Sequence, residues 1–238
     1  MLKKWILALA LIGATGVVFA GTYDVVNRED PVFILDGVAD ERVWERVPAI
    51  GNFVLPWEED VESGTVFKAF HDADNFYFSF VLEDGDIVSA EEVDDEEGIG
   101  SLDAVHLLFA AHQIDRPVEG ELPTYYVVSI DALGHVQDYS TVYYRRDQDN
   151  DWAFTDQQVA GRIFDGRYSV EGVIPLESFR EVGLLVDESS MLVGIFRTDW
   201  STDGEEPQWI SWIDDLASVT ETPDIHLAAS FGWFRLAP

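Results

Sequence analysis

The side chains best suited to chemistry in this chain are tryptophans. Its C-terminal third alone holds Trp200, Trp209, Trp212 and Trp233. A sugar ring presents an apolar C–H face, and a flat indole covers such a face with few rotatable bonds to freeze. Polar neighbours then read the hydroxyls, the charged ones most strongly. His106 and Arg197 suit that work: a neutral imidazole offers one donor and one acceptor, and a guanidinium offers a planar fork. Arg197 is equally suited to an internal ion pair, and His106 to a hydrogen bond with a neighbouring strand. Catalytic sets are harder to assemble. The chain has no Cys, no Gly-x-Ser-x-Gly and no phosphate-cradling glycine loop. Its histidines, His71, His106, His112, His135 and His226, never stand at His-x-x-x-His spacing. Two carboxylates could serve a glycosidase, but among 46 acidic residues such a pair can be drawn anywhere. No enzyme is expected.

Strands must present those tryptophans. From Val32 onward, short apolar or β-branched runs alternate with Gly, Asp, Asn and Pro punctuation, the pattern of an all-β domain. Residues 65–70 and 76–82 alternate on either side of Asp72-Ala73-Asp74-Asn75 and predict a hairpin. Further strands are expected at 104–110, 125–131, 135–143, 158–164, 167–174, 191–197, 208–213 and 228–236. Short helical turns fit 40–47, where Asp40 can cap, and 175–182, opened by Pro175. Residues 21–31 are polar and read as a tether. Asp94–Glu97 and 147–151 read as acidic loops. About ten strands in one domain predict a two-sheet β-sandwich, jelly-roll-like, with one or two short helical turns. On a strand, Trp209 and Ser211 face one way, Ile210 and Trp212 the other. One of these two tryptophans therefore belongs to the core and the other to a rim. Trp44 is expected in the core, whereas Trp57 and Trp152 sit in polar loops and line a site or cover an edge.

Composition narrows the partners. The 238 residues carry 14 Lys and Arg against 46 Asp and Glu, a formal charge of −32. Nucleic acid and anionic membrane surfaces require a cationic footprint, so neither is an expected partner. The N-terminus reads as an export signal: Lys3 and Lys4, an apolar run from Trp5 to Val18, and Val18-Phe19-Ala20 before Gly21. The run is short for a bilayer span. Cleavage after Ala20 leaves Lys68 as the last lysine and a secreted or periplasmic domain over 32–238, with no membrane attachment. So many carboxylates beside so little lysine suggest a halophilic source, where salt screens the self-repulsion.

Four phrases, in order, carry a resemblance. They are Leu35-Asp36-Gly37-Val38-Ala39-Asp40-Glu41-Arg42-Val43-Trp44, the strand pair from Thr65 to Glu83, the stretch Tyr125–Tyr139 with Asp131-Ala132-Leu133-Gly134, and Val170–Leu176 followed by Pro207–Trp212. Together they resemble the family 9 carbohydrate-binding modules and their family-9-like relatives. The resemblance implies a non-catalytic protein that holds poly- or oligosaccharide on a tryptophan platform. The Ser-Trp-x-Asp ending of the family reads here as Ser211-Trp212-Ile213-Asp214, so the resemblance hands the platform to Trp212, with Trp209, Trp200, His106 and Arg197 around it. The family's Trp-x-x-Asp-x-Val-Glu reads here Gly100-Ser101-Leu102-Asp103-Ala104-Val105-His106, which removes one stacking wall and one carboxylate. Similar modules hold structural calcium in loops, a role Asp94–Glu97 could take. Two alternatives stand beside this reading. Related sandwiches hold haem between their sheets, which here would call on Met191, Lys68 or a histidine. A degenerate module would keep the fold and serve protein interaction.

Overall fold

The computed structural model describes residues 21–58, 64–93, 98–202 and 206–238. The export signal and the acidic run Asp94–Glu97 lie outside the described residues. Thirteen strands and one short helix follow in the order β1 (Thr22–Asn27), β2 (Ala49–Ile50), β3 (Thr65–His71), β4 (Asn75–Glu83), β5 (Ala104–Ala110), β6 (Thr124–Asp131), β7 (Val136–Val142), β8 (Arg146–Asp149), β9 (Gln158–Phe164), β10 (Arg167–Pro175), α1 (Leu176–Glu181), β11 (Ser190–Asp199), β12 (Gln208–Ser211) and β13 (Phe231–Leu236).

They form the two-sheet sandwich that the alternation predicts. The front sheet runs β8-β7-β6-β5-β11-β13-β1, and the back sheet runs β1-β3-β4-β10-β9. β13 pairs with the first half of β11, and β12 with the second half. The inner faces follow from period two. Phe76, Phe78 and Phe80 of β4 point inward with Phe67 of β3 and Tyr168 of β10, while Phe109, Ile195 and Phe234 meet them from the front sheet. Phe109 lies edge-on to Phe76 with ring centroids 6.4 Å apart, and Phe67 reaches Phe234 at 5.8 Å. Full burial of each such ring stabilises the fold by about 1.5–3 kcal/mol. A second apolar layer closes the outside of the back sheet, where Trp44 and Val47 pack with Phe70 and Tyr77. There the Trp44 indole donates to buried Glu171, whose carboxyl burial pushes up to about 7.

Several expectations need correction. Residues 21–31 are not a tether: Thr22–Val25 pair with β13, and Val26–Asn27 pair with β3, both in parallel. Tyr23 and Val25 are 5 % and 0 % exposed, and the Tyr23 hydroxyl donates to the Pro48 carbonyl at 2.6 Å. Thr22 and Asp24 beside them make a true strand read as polar. The turn expected at 40–47 contracts to a single 3-10 turn, Trp44–Arg46. The acidic stretch at 147–151 is half strand, since Arg146–Asp149 form β8 at the sheet edge. At the other end, residues 228–230 form a 3-10 turn and the last strand starts only at Phe231.

Candidate functional site

The outer face of the front sheet collects the polar residues. Register places His106 of β5 beside Ser129 of β6 and Phe196 of β11, with Gln137 of β7 next to Ser129. Trp209 of β12 stands beside Thr198 on the same face. The imidazole of His106 lies under the Trp209 indole, with ring centroids 6.0 Å apart and planes 24° from parallel. Its Nδ1 is 2.9 Å from the Ser129 hydroxyl and its Nε2 is 2.5 Å from the Thr198 hydroxyl. At 8 % exposure the ring is nearly dry, and burial, with His226 nearby, lowers its pKa to about 4. His106 is therefore neutral at pH 7, held in one orientation by two hydroxyls and capped by a half-buried indole.

One end of this face is walled by a polar aromatic group. The imidazole of His226 sits between the hydroxyls of Tyr125, at 2.9 Å, and Tyr139, at 3.3 Å. Burial and then Arg145 lower its pKa to about 4. Asp224 accepts from the hydroxyl of exposed Tyr144 and, at 3.2 Å, from Arg145. Across β12, Trp57 ties its indole N–H to the Thr220 carbonyl at 3.1 Å and anchors the loop that runs beneath the wall.

Trp212 does not join this face. It is 7 % exposed, its indole donates to the Ser230 carbonyl, and its ring lies edge-on to Phe234. A Cβ added at Gly232 would come within 2.6 Å of the indole, and one at Gly21 within 2.9 Å. Two glycines thus form the slot that swallows the ring. The alternation of β12 splits Trp209 from Trp212 as expected, but the exposed member is Trp209.

Arg197 also leaves the site. It is 1 % exposed and faces inward, where it pairs with Asp84 at 2.9 Å and Asp199 at 2.8 Å and stands over the Tyr168 ring. Of its two offered roles it takes the internal ion pair. Asp103 completes the cluster, and its carboxylate accepts the backbone N–H groups of Val88 and Trp200, both at 2.6 Å. Burial raises Asp103 to about 7 against those two hydrogen bonds, with Asp84 and Asp199 adding to the rise. Three carboxylates so placed could hold a cation. The guanidinium already pairs with Asp84 and Asp199, and both Asp103 oxygens are taken, so the geometry fits an arginine-centred cluster better than a calcium cage. Trp200 contributes its backbone N–H there and is half-buried.

Ser129, Thr198 and Gln137 escaped the sequence reading because only strand register brings them to the His106 face, and His226 is named there but not placed because it lies in a loop. Trp152 sits on the opposite side, against Tyr126. The haem alternative fares poorly. Met191 faces the interior with Phe234, whereas His106 and His226 face outward with both ring nitrogens engaged.

No family model matches the sequence, and no curated protein does. Similarity in shape is clearer. A proposed carbohydrate-binding protein from Bacteroides uniformis superposes with a TM-score of 0.62 over 90 % of this chain and 99 % of its own, at 13 % identity. A family 9 carbohydrate-binding module from Caldicellulosiruptor kristjanssonii, in complex with cellotriose, gives 0.56 at 14 % identity, covering 91 % and 93 % of the two chains. The fold is that of the family 9 carbohydrate-binding modules. A module of that family from the same organism in complex with glucose gives 0.53 over 91 % and 96 %, again at 14 % identity. At such identities the superpositions show the fold alone and leave the ligand of this chain to its own residues.

Proposed function

We propose that this protein is an exported, non-catalytic carbohydrate-binding protein that holds oligosaccharide on the outer face of its front sheet. The observation that carries the reading is Trp209 stacked over a neutral, hydroxyl-pinned His106 in the one stretch of that face where polar side chains gather. The indole covers the apolar face of a pyranose. Gln137, the hydroxyls and the Tyr139–Tyr144 wall then address its hydroxyl groups. The shared architecture supports this reading, since structures of like fold hold cellotriose and glucose. The charge of −32 turns away nucleic acid and anionic membrane, and suits salt-rich surroundings outside the cell.

Calorimetric titration of residues 21–238 with cellotriose, xylotriose and mannotriose, at moderate and high salt, tests this. Binding that weakens at least tenfold in Trp209→Ala, about 1.4 kcal/mol, is the expected result. A folded protein that ignores every sugar would sink it and leave protein interaction as the better account.

A further inference from the structure

A second recess opens on the other side of the front sheet, at the edge of the sandwich between β7 and β9. It is an open cavity of about 400 Å³, with Asp138 of β7, Val159 of β9 and the loop residues Asn150, Trp152 and Gln157 on its walls. Its size falls within the usual range for small-molecule sites. Trp152 is half-buried and fixed by its neighbours: it lies tilted against Tyr126 with centroids 4.4 Å apart and stands edge-on to Phe154 at 4.7 Å. The Gln157 side-chain amide donates to Oδ2 of Asp138. The backbone N–H of Phe154 also bonds to this carboxylate.

Burial pushes the Asp138 carboxyl up to about 7, with the Gln157 amide pulling it back. Around this carboxyl stand further groups of mixed sign. The Asn150 carbonyl oxygen is taken by Gln148 at 2.6 Å, which leaves its amide N–H groups to donate. Gln157 spends its amide on Asp138 and keeps its carbonyl to accept.

We infer that this recess is a second carbohydrate site, in which Trp152 covers the apolar face of a pyranose while the Asn150 amide and the Gln157 carbonyl, which Asp138 holds in place, read its hydroxyl groups. An aromatic plane beside a carboxylate and two amides is the chemistry of a neutral, hydroxylated ring. A phosphate or sulfate would meet Asp138 and Asp151 as like charges. The inference goes beyond the reading of the Trp209 face and shares only its ligand class. With sites on both sides of the front sheet, one molecule could bridge two glycan chains.

The test is ¹⁵N-resolved NMR of the indole and side-chain amide N–H groups during titration with cellotriose, xylotriose and mannotriose. The expected result is that the Trp152 indole and Gln157 amide signals move with at least one sugar, and still do so in Trp209→Ala. In Asp138→Asn, which keeps the packing of Trp152, that response weakens at least tenfold while the Trp209 response persists. If the Trp209 signal moves and the Trp152 signal stays fixed through about 10 mM sugar, well above millimolar affinity, the second site is wrong and the first stands. If Trp152 responds only in step with Trp209 and falls silent in Trp209→Ala, the second site is likewise refuted.

Discussion

Replacing Trp209 by alanine removes a half-buried ring whose main partner is His106, so the loss should fall on ligand and hardly on stability. Trp212→Ala is expected to do the reverse. It empties the slot between Gly21 and Gly232, where truncating a buried aromatic costs about 3–5 kcal/mol. Guanidinium unfolding curves for the two variants, beside their sugar titrations, check the pair. If Trp212→Ala lost binding while keeping its unfolding midpoint, the assignment of the two rings would be reversed. Arg197→Met strands Asp84 and Asp199 in the interior without their cation, a loss of about 3–5 kcal/mol by the same unfolding measurement. The sequence showed that β12 must divide its tryptophans, because alternation is local. Which ring faces outward depends on two glycines, Gly21 and Gly232, far apart along the chain and adjacent only in the fold. That dependence no local pattern could display.

Among the elements, β1 carries the largest difference between expectation and structure. Removing residues 1–20 should leave the domain intact, whereas a chain that starts at Val32 loses β1 and opens β13 and β3 together. Such a chain is expected to aggregate or to lack a cooperative thermal transition, with circular dichroism and gel filtration as the measures. A soluble, cooperatively melting product would return these residues to the status of a tether. The hairpin of β3 and β4 was readable because residues 65–70 and 76–82 alternate on either side of a turn at 72–75. β1 was not, since its buried pair, Tyr23 and Val25, is set among Thr22, Asp24 and Asn27. Its strand character comes from partners on both sides and not from its own composition.

At the scale of the whole molecule, charge and burial set the response to pH. His106 and His226, lowered to about 4, bind more protons unfolded than folded between about 4 and 6.5. Their contribution is complete above 6.5 and is lost as pH falls through that window. Asp103, Asp138 and Glu171, raised to about 7, act in the opposite sense. Their contribution is complete below about 4 and is lost as pH rises towards 7. The three carboxyls outweigh the two histidines, and surface repulsion under a charge of −32 adds to their side. Thermal stability is therefore expected to be higher near pH 5 than near pH 8, with His106→Gln flattening the acid limb; calorimetric melts across that range are the check. Near pH 8, raising salt from about 0.1 M to about 1 M shortens the screening length from about 10 Å to about 3 Å. The melting temperature should then climb by several degrees, and a fall would show that surface repulsion is not what limits stability.

The strand that joins both sheets also fixes an order of events. Thr22 lies opposite Trp233, so the earliest strand of the domain has to wait for the latest before the front sheet closes. During synthesis, β1 leaves the ribosome with no neighbour on either side, and until Phe231–Leu236 follow, the sandwich stays a ribbon with unpaired edges. The hairpins of both sheets can pair beforehand, so the seam of β1 with β13 is the closure that comes last. Its assembly should be slow, as expected where pairings span the length of a domain.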